Sequence, residues 1–439
     1  MTATFDTESQ PFPLVIKRLG IDTHQEPTVY LRRNSHVCRA EGFATASRVQ
    51  VGTDNHTIIA TLNIIDSDIL APGEIGLSES AFASLKSAEQ SIVHVCHPRP
   101  IESLSHLRHK VYGHELTSAQ MNSIIQDIVA GHYADVHLAT FITACAGDNL
   151  SQQEIINLTR AMLEAGDRLD WQQPRVVDKH CVGGLPGNRT TPIVVSILTA
   201  CGAVMPKTSS RAITSPAGTA DTMSTMTEVE LELPVLQQVV NQEGGCLAWG
   251  GSVHLSPADD ILIRAERELD LDSEGQMVAS VLSKKIAAGS SHVLIDIPVG
   301  PTAKVRSLEA AKTLTQLLVE TGRALGLTVE VICTDGSQPV GRGIGPALEA
   351  QDIIKVLKDE SDAPSDLRDR SLLLAGRLLE MAELAETGQG YVTAEQTLKN
   401  GKAWKKFYQI CEVQGGFKQP PVAHYQYIWS SPESGVVSG

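Results

Sequence analysis

A stretch of fourteen residues near the middle of the chain, 178–191 (DKHCVGGLPGNRTT), combines charged, glycine and hydroxyl-bearing residues. The glycines let backbone N–H groups turn toward one point, and a helix that begins just after them adds partial positive charge there. Lys179 supplies a full positive charge, while the hydroxyls of Thr190 and Thr191 supply further donors. This pattern is typical of a site that binds an anion. The simpler alternative is a plain strand-to-helix turn with a capping threonine.

A second segment, 209–221 (SSRAITSPAGTAD), carries five hydroxyl side chains and one arginine in thirteen residues. Small hydroxyl donors at this density suit the rim of a phosphate or sugar site, whereas the alternative is a solvated serine- and threonine-rich loop. Loops at the carboxyl ends of parallel strands meet at one edge of a sheet. We therefore expect the two segments to converge on one anion.

Positioning these loops requires a mostly parallel sheet covered by helices, and the second half of the chain has that pattern. Strand-like runs at 175–180, 292–300 and 328–336 alternate with glycine loops and with helical runs such as 193–202 and 306–326. Alternating strands and helices of this length indicate an α/β domain.

The first part of the chain predicts two other kinds of structure. Runs of β-branched residues between turn residues indicate a small β-rich domain; they occupy 28–34, 48–53, 56–65 and 91–97. Apolar residues then recur at helical spacing, and Thr117 and Gln120 are placed as a capping box. The expected domains are a β-rich one (1–105), a helical one (106–170, rejoined by 257–287), an α/β one (171–256 and 288–418) and the start of an incomplete C-terminal β region (419–439).

Composition and charge narrow the class of protein. The chain has 439 residues, a formal net charge of -15 and a sequence pI near 5.4, so a nucleic acid polymer or an anionic membrane surface would be repelled overall. No run approaches the ~18 apolar residues that a membrane helix needs, and the N-terminal residues lack the pattern of a secretory signal. We expect a cytoplasmic protein that acts on a small molecule.

The cysteines and histidines give no sign of a metal site. The eight cysteines are scattered without a C-x-x-C pair, which favours reduced thiols. His94, Cys96 and His97 lie close together, but neighbouring positions of a strand point to opposite faces. We expect no metal and no cofactor.

Taken together, the two loop motifs, DKHCVGGLPGNRTTP and PKTSSRAITSPAGTADTM, resemble the thymidine phosphorylase/AMP phosphorylase family, in its long form with an extra N-terminal domain (type 2 thymidine phosphorylase). Further matches follow in the same order: GGCLAWGGSVHLSPADD, ASVLSKKIAAG, IDIPVGPTAKV and TDGSQPVGRGIGPALEA. The resemblance covers roughly residues 100–415. It implies a helical subdomain and a mostly parallel-sheet α/β domain of the nucleoside phosphorylase/phosphoribosyltransferase type.

The resemblance also implies roles for individual residues. Phosphate is expected at Lys179, Cys181, Gly184, Thr191, Ser209 and Thr219. The sugar and base, or a nucleotide, are expected at Ser210, Arg211, Ala212, Ile213, Thr214, Ser215, Ser280 and Lys304, with Arg267, Ser280 and Lys284 at the positions that hold a pyrimidine. The proton for the departing base is expected from His180 or from Asp272.

One residue departs from the family pattern, because Cys181 stands where the family usually has serine. A thiol is a weaker donor than a hydroxyl, so the phosphate site is expected to lose one good hydrogen bond. Two residues also have plain structural explanations: Asp272 could cap a helix, and Arg267 could form an ion pair within its helix.

The resemblance implies a homo-oligomeric pentosyltransferase that cleaves thymidine with phosphate as co-substrate, giving thymine and 2-deoxyribose 1-phosphate. The alternatives are an AMP phosphorylase that yields ribose 1,5-bisphosphate, a transferase of the anthranilate phosphoribosyltransferase type and a catalytically weak nucleotide-binding protein. Phosphorolysis needs no covalent nucleophile, because it depends on placing phosphate beneath the sugar and neutralising the charge that leaves on the base.

Overall fold

A computed structural model describes residues 13–23, 26–53, 55–212, 217–253, 255–269, 271 and 273–435. The chain forms two compact units. The first contains the described residues up to Ala161 together with Ile261–Ser273, and the second contains Met162–Asp260 and the described residues from Glu274 onward.

The first unit opens with a closed six-stranded barrel in the order β1-β5-β2-β4-β3-β6, which confirms the β-rich N-terminal region. Its strands are β1 (Leu14–Arg18), β2 (Thr28–Arg32), β3 (Arg48–Gly52), β4 (Thr57–Ile65), β5 (Glu74–Leu77) and β6 (Ile92–Cys96). The helices α1 (His36–Glu41) and α2 (Glu79–Leu85) accompany them. Alternate residues such as Leu14, Ile16, Val49 and Val51 are buried in the barrel core.

A helical part follows, with α3 (Ser103–Val111), α4 (Ser118–Val129), α5 (Asp135–Ala144) and α6 (Gln152–Glu164). The predicted capping box of α4 is confirmed: Gln120 N donates to Thr117 Oγ1 at 3.3 Å, and Thr117 N donates to Gln120 Oε1 at 3.0 Å. A buried ion pair, Lys110 Nζ to Glu154 Oε1 at 2.7 Å, joins α3 to α6.

The second unit is the predicted α/β domain. Its strands, all parallel to their neighbours, are β7 (Val177–Cys181), β8 (Met205–Ser209), β9 (Gly245–Trp249), β10 (His292–Val299) and β11 (Thr328–Asp335). Helix α10 (Pro257–Leu269) begins in the second unit and continues in the first from Ile261. The other helices of the second unit are α7 (Thr190–Ala200), α8 (Thr219–Ser224), α9 (Leu233–Glu243), α11 (Glu274–Ala287), α12 (Leu308–Ala324), α13 (Pro346–Leu357), α14 (Ser365–Met381), α15 (Gly390–Lys399) and α16 (Lys402–Val413).

The strands form a three-stranded sheet, β11-β10-β7, and a two-stranded sheet, β8-β9, which an isolated parallel bridge between Val176 and Val204 connects. Residues 190–199 of helix α7 are all buried, between β8 and β9 on one side and helices such as α14 and α16 on the other. Such a helix presents its first residues at the sheet edge where the strands end.

Two features differ from the sequence expectations. Helix α11, expected to rejoin the helical domain, belongs to the second unit. It packs against α12, and its buried Lys285 donates a hydrogen bond to Asp178 of β7. The strand expected near the C terminus is not formed in the described residues 418–435, which are largely exposed. A strand needs the edge of a neighbouring strand for its hydrogen bonds, and this segment has no ladder partner among the described residues. No helix in the described part of the chain combines the length and apolar character needed to cross a membrane.

Candidate active site

The strand order places the starts of the two predicted loops next to each other, at the edge of the sheet where the strands end. Strand β7 lies between β10 and β8, so the chain proceeds outward on one side through β8 and β9 and then returns to the other side with β10. In open α/β sheets, ligands bind outside the carboxyl ends of the strands at such a reversal. The first loop leaves β7 after Cys181 and the second leaves β8 after Ser209. Both therefore start at this edge.

The glycine loop after β7 packs closely against the loop after β10. Gly184 has a φ of +80°, and a Cβ atom there would lie 2.4 Å from the backbone nitrogen of Lys304. Val182 N also donates to the carbonyl oxygen of Asp296, in β10, at 3.0 Å. The structure thus brings Gly184 and Lys304 together, two of the residues carried over from the family.

This close approach makes Gly184 a sensitive position. We expect Gly184→Ala to push the two loops apart and lower turnover by at least about tenfold, since displacements of about 1 Å at a reacting centre are costly. Gly202→Ala is a matched control, because Gly202 also has a positive φ (+93°) but nothing within 4 Å of its Cβ position. Steady-state kinetics of both variants would separate the clash from backbone strain; equal losses would contradict the role given to the loop contact.

Lys179, the middle residue of β7, is fully buried. Its residue is 1% exposed, and its Nζ donates to Thr190 Oγ1, at the first residue of α7, at 2.5 Å. Among the described residues no carboxylate forms an ion pair with it. A buried ammonium that has only a hydroxyl partner is costly, so the site favours an added anion.

Two further lysines lie beside Lys179. Asp178, which is fully buried, accepts from Lys285 Nζ of α11 at 2.8 Å and ion-pairs with Lys207 Nζ of β8 at 3.5 Å. Both lysines are 4% exposed. We call Asp178, Lys179, Lys207 and Lys285 the lysine cluster. If all four residues are ionised, it carries a formal excess of two positive charges.

The lysine cluster governs the protonation of His180. The pKa of His180 is held well below its usual value, first by burial and then by the positive charges of Lys285, Lys207, Lys284 and Lys179. In this state the imidazole is neutral at pH 7. An anion bound beside it would offset those charges and raise the pKa of His180, as a proton donor requires.

The Cys181 thiol already accepts a hydrogen bond from another side chain of the protein. Asn188 Nδ2 donates to its Sγ at 3.3 Å, and Asp296 occupies the neighbouring position of β10 in the strand register. Burial, followed by the charge of Asp296, raises the pKa of the Cys181 thiol to about 12. The residue is thus a neutral thiol, and its predicted contact with phosphate stays a prediction.

Asp221, which the sequence motif did not single out, joins the described residues on either side of 213–216 in the hydroxyl-rich segment. Its Oδ2 accepts from the backbone nitrogens of Ala212 at 2.7 Å and Gly218 at 2.8 Å, while Oδ1 ion-pairs with Arg211 at 3.1 Å. Arg211 also ion-pairs with Glu230 at 2.6 Å. Arg211 is therefore paired with two carboxylates and does not offer an unpaired charge to a ligand.

Glu349 of α13 ties the two loops together. This buried carboxylate ion-pairs with Arg189, at the end of the first loop, and accepts from Thr222 Oγ1, in the helix after the second loop, at 3.4 Å. Thr191 and Thr219 occupy the first turns of the helices that follow the two loops. The two loops share one edge of the sheet and one anchoring residue.

Helix α11 presents on one face two residues that the family resemblance assigns to the substrate site. Ser280 and Lys284 are four positions apart and both are partly exposed, whereas Lys285 is buried. The Lys284 ammonium ion-pairs with the buried carboxylate of Asp259. Neither Lys284 nor the adjacent Lys285 is thus a simple solvated charge.

Some predicted site residues are not placed. Ile213, Thr214, Ser215 and Asp272 lie outside the described residues. Of Arg267 only the backbone is described, in the part of α10 that belongs to the first unit. The predicted roles of these residues stay predictions.

Comparison with known proteins gives consistent matches. The family described as "Glycosyl transferase family, helical bundle domain" matches residues 104–166, and "Glycosyl transferase family, a/b domain" matches residues 173–404. The chain is 57% identical over 427 residues to a "Putative thymidine phosphorylase" of Polaromonas sp. strain JS666, covering 97% of this chain and 84% of that protein. It is 59% identical over 421 residues to "Putative thymidine phosphorylase 2" of Acidovorax sp. strain JS42, covering 96% and 82%.

A solved structure shows the same fold at low identity. Anthranilate phosphoribosyltransferase from Thermus thermophilus matches with a TM-score of 0.58 and 19% sequence identity, covering 70% of this chain and 98% of that chain. This likeness supports the architecture, with its helical part and its parallel-sheet domain.

Proposed function

Because this chain belongs to the thymidine phosphorylase/AMP phosphorylase family, we propose that it is a pentosyltransferase that cleaves a pyrimidine nucleoside with inorganic phosphate. The substrate we propose is thymidine, which would yield thymine and 2-deoxyribose 1-phosphate. The observation that carries the proposal is the lysine cluster, which holds an excess of buried positive charge where two loops rich in donors begin.

The reaction forms one bond and breaks another. A phosphate oxygen attacks the anomeric carbon of the sugar, and the electron pair of the glycosidic bond leaves with the base, which then takes a proton. Positive charge builds on the sugar in the transition state, so a phosphate dianion held beneath it is stabilising. In this scheme Lys179 and the donors of the two loops hold the phosphate, and no cofactor takes part.

The departing base must be neutralised. Lys284, on the partly exposed face of α11 that also carries Ser280, is the side chain we propose to donate to a base oxygen as it gains negative charge. His180 is the proposed proton donor once phosphate has raised its pKa. This order of events makes phosphate binding a condition for proton transfer.

A nucleoside 5′-monophosphate is the second substrate class to test. The backbone of Lys304 lies against Gly184 of the first loop, and we propose that its side chain adds positive charge for a second phosphate group, which AMP carries and thymidine lacks. A homo-oligomer and a cytoplasmic location complete the proposal, on the strength of the family resemblance.

The test is incubation of the purified protein with phosphate and a panel of thymidine, uridine, cytidine, AMP, CMP and UMP, with chromatography of the free bases. We expect thymine release from thymidine that strictly requires phosphate and persists in EDTA. Faster release of adenine from AMP would show that AMP is the substrate instead of thymidine, while phosphorolysis as the type of reaction would stand. No base release from any member of the panel would reject the proposal, and a requirement for magnesium would favour a phosphoribosyltransferase.

A further inference from the structure

Lys207 is the buried member of the lysine cluster in β8, and the proposed reaction gives it no contact with phosphate or nucleoside. It is 4% exposed. It shares the carboxylate of Asp178 with Lys285, because Asp178 forms an ion pair with Lys207 at 3.5 Å and with Lys285 at 2.8 Å. One buried carboxylate balances one of these two ammonium groups. The other is left to be neutralised by loss of its proton or by an anion.

A second observation, on Ser209 in the same strand, also points to a ligand beside Lys207. Ser209 follows Lys207 by two positions, so both side chains point to the same face of β8. The Oγ of Ser209 is buried and has no hydrogen-bond partner among the described atoms. Leaving a buried hydroxyl unpaired is unfavourable unless a ligand supplies its partner. Lys207 shares its one carboxylate with Lys285 and otherwise donates to the carbonyl oxygen of Thr208, while Ser209 Oγ has no partner among the described atoms, so a bound anion could accept from both side chains.

We propose that Lys207 is a further phosphate-binding residue, which Asp178 and Lys285 hold in position so that the bound dianion completes its charge balance. This inference deepens the proposed function and rests on it. It adds a third lysine, from a second strand, to the side chains that hold the anion.

The proposal has a measurable consequence for protons. Burial lowers the pKa of Lys207 to about 7, with Asp178 opposing the shift and Lys285 adding to it. The charged and titratable groups around Lys207 are Asp178, Lys179 and His180 from β7, Lys285 from α11, and Cys246 from β9. A dianion beside Lys207 raises its pKa, so binding at a pH above 7 takes up a proton, and affinity falls as the pH rises further.

The experiment measures this uptake without turnover. Sulfate is a dianion that does not titrate near neutral pH, so any proton taken up when it binds comes from the protein. We would titrate the full chain with sulfate and with phosphate by calorimetry at pH 8, in buffers of different ionisation enthalpy. We expect uptake approaching about one proton per site for sulfate, which His180 shares in part.

Three variants test whether Lys207 is the residue that takes up the proton when the anion binds. In Lys207→Met we expect phosphate binding to weaken by about 10–100-fold, the loss typical of a hydrogen bond to a charged group, together with loss of most of the uptake. Lys207→Arg keeps a charge that does not titrate. It should retain phosphate binding with the same loss of uptake. Lys312→Met, at an exposed position of α12, is the matched control and should behave as the unaltered protein.

The outcomes separate the two proposals. Unchanged phosphate affinity and unchanged uptake in Lys207→Met would overturn the inference while phosphorolysis by the unaltered protein stands. Failure of the unaltered protein to bind either anion would overturn both proposals. Thermal melting checks that each variant is folded, and if Lys207→Met does not fold, uptake by Lys207→Arg equal to that of the unaltered protein would overturn the inference.

Discussion

Replacing Lys179 by methionine is expected to abolish nearly all phosphate-dependent cleavage, with kcat/KM lower by about 10²–10³-fold. Lys179 Nζ is enclosed next to Thr190 at the start of α7 and forms no ion pair with any carboxylate among the described residues. Its charge therefore acts on whatever anion occupies the loop. Methionine keeps the length and the apolar stem of the side chain, so the loss reports the charge and not a cavity.

The measurement is the initial rate of thymine release at several phosphate concentrations. We expect the phosphate KM to rise and kcat to fall, because the interaction strengthens as charge develops in the transition state. Lys312→Met is again the control for the loss of one lysine. A Lys179→Met variant with turnover and phosphate KM within about threefold of normal would show that the anion binds elsewhere.

Replacing Asp178 by asparagine is expected to destabilise the protein by about 3–5 kcal/mol at pH 6, the usual cost of removing one partner of a buried ion pair. Asparagine keeps the shape of the side chain but leaves Lys207 and Lys285 without their carboxylate. In the unaltered protein burial lowers the pKa of Lys207 to about 7 although Asp178 raises it, so without Asp178 the folded-state pKa is lower still and burying Lys207 costs more at pH 6. This cost is relieved as the pH rises toward the ordinary value of 10.5. The loss should therefore be clearly smaller at pH 9.

Urea unfolding of both proteins at pH 6 and pH 9 tests this expectation. The exposed Asp362, which pairs with Lys355 at the surface, provides Asp362→Asn as a control with little effect at either pH. An equal loss for Asp178→Asn at both pH values would mean that the residue acts through hydrogen bonding or packing. Added sulfate should restore part of the lost stability if the lysine cluster binds an anion.

The fold was largely predictable because its periodic signals are strong. The β-branched runs at 48–53 and 56–65 form paired barrel strands, and the capping box at Thr117 begins a helix as expected. Strands β8 and β9 give a weaker signal. Their sequences, MPKTS and GCLAW, lack runs of β-branched residues, and it is burial between helices that fixes them as strands.

The candidate site was predictable where the chain itself brings residues together. Lys179 and Thr190 belong to one strand-loop-helix unit, so the sequence motif locates both. Lys207 and Lys285 reach Asp178 from β8 and α11, which are distant in sequence, and no local pattern shows that they would meet. A lysine inside an otherwise buried strand such as β8 was the available signal, since lysines are almost never fully buried without a partner.

A crystal structure of the full chain grown with selenate, a dianion whose position its anomalous scattering reveals, tests the central claim most directly. We expect one selenate within hydrogen-bond distance of both Lys179 Nζ and Ser209 Oγ, with Lys207 Nζ as a third contact. Selenate bound to only one of the two loops, or a shared space closed by apolar side chains, would contradict this claim.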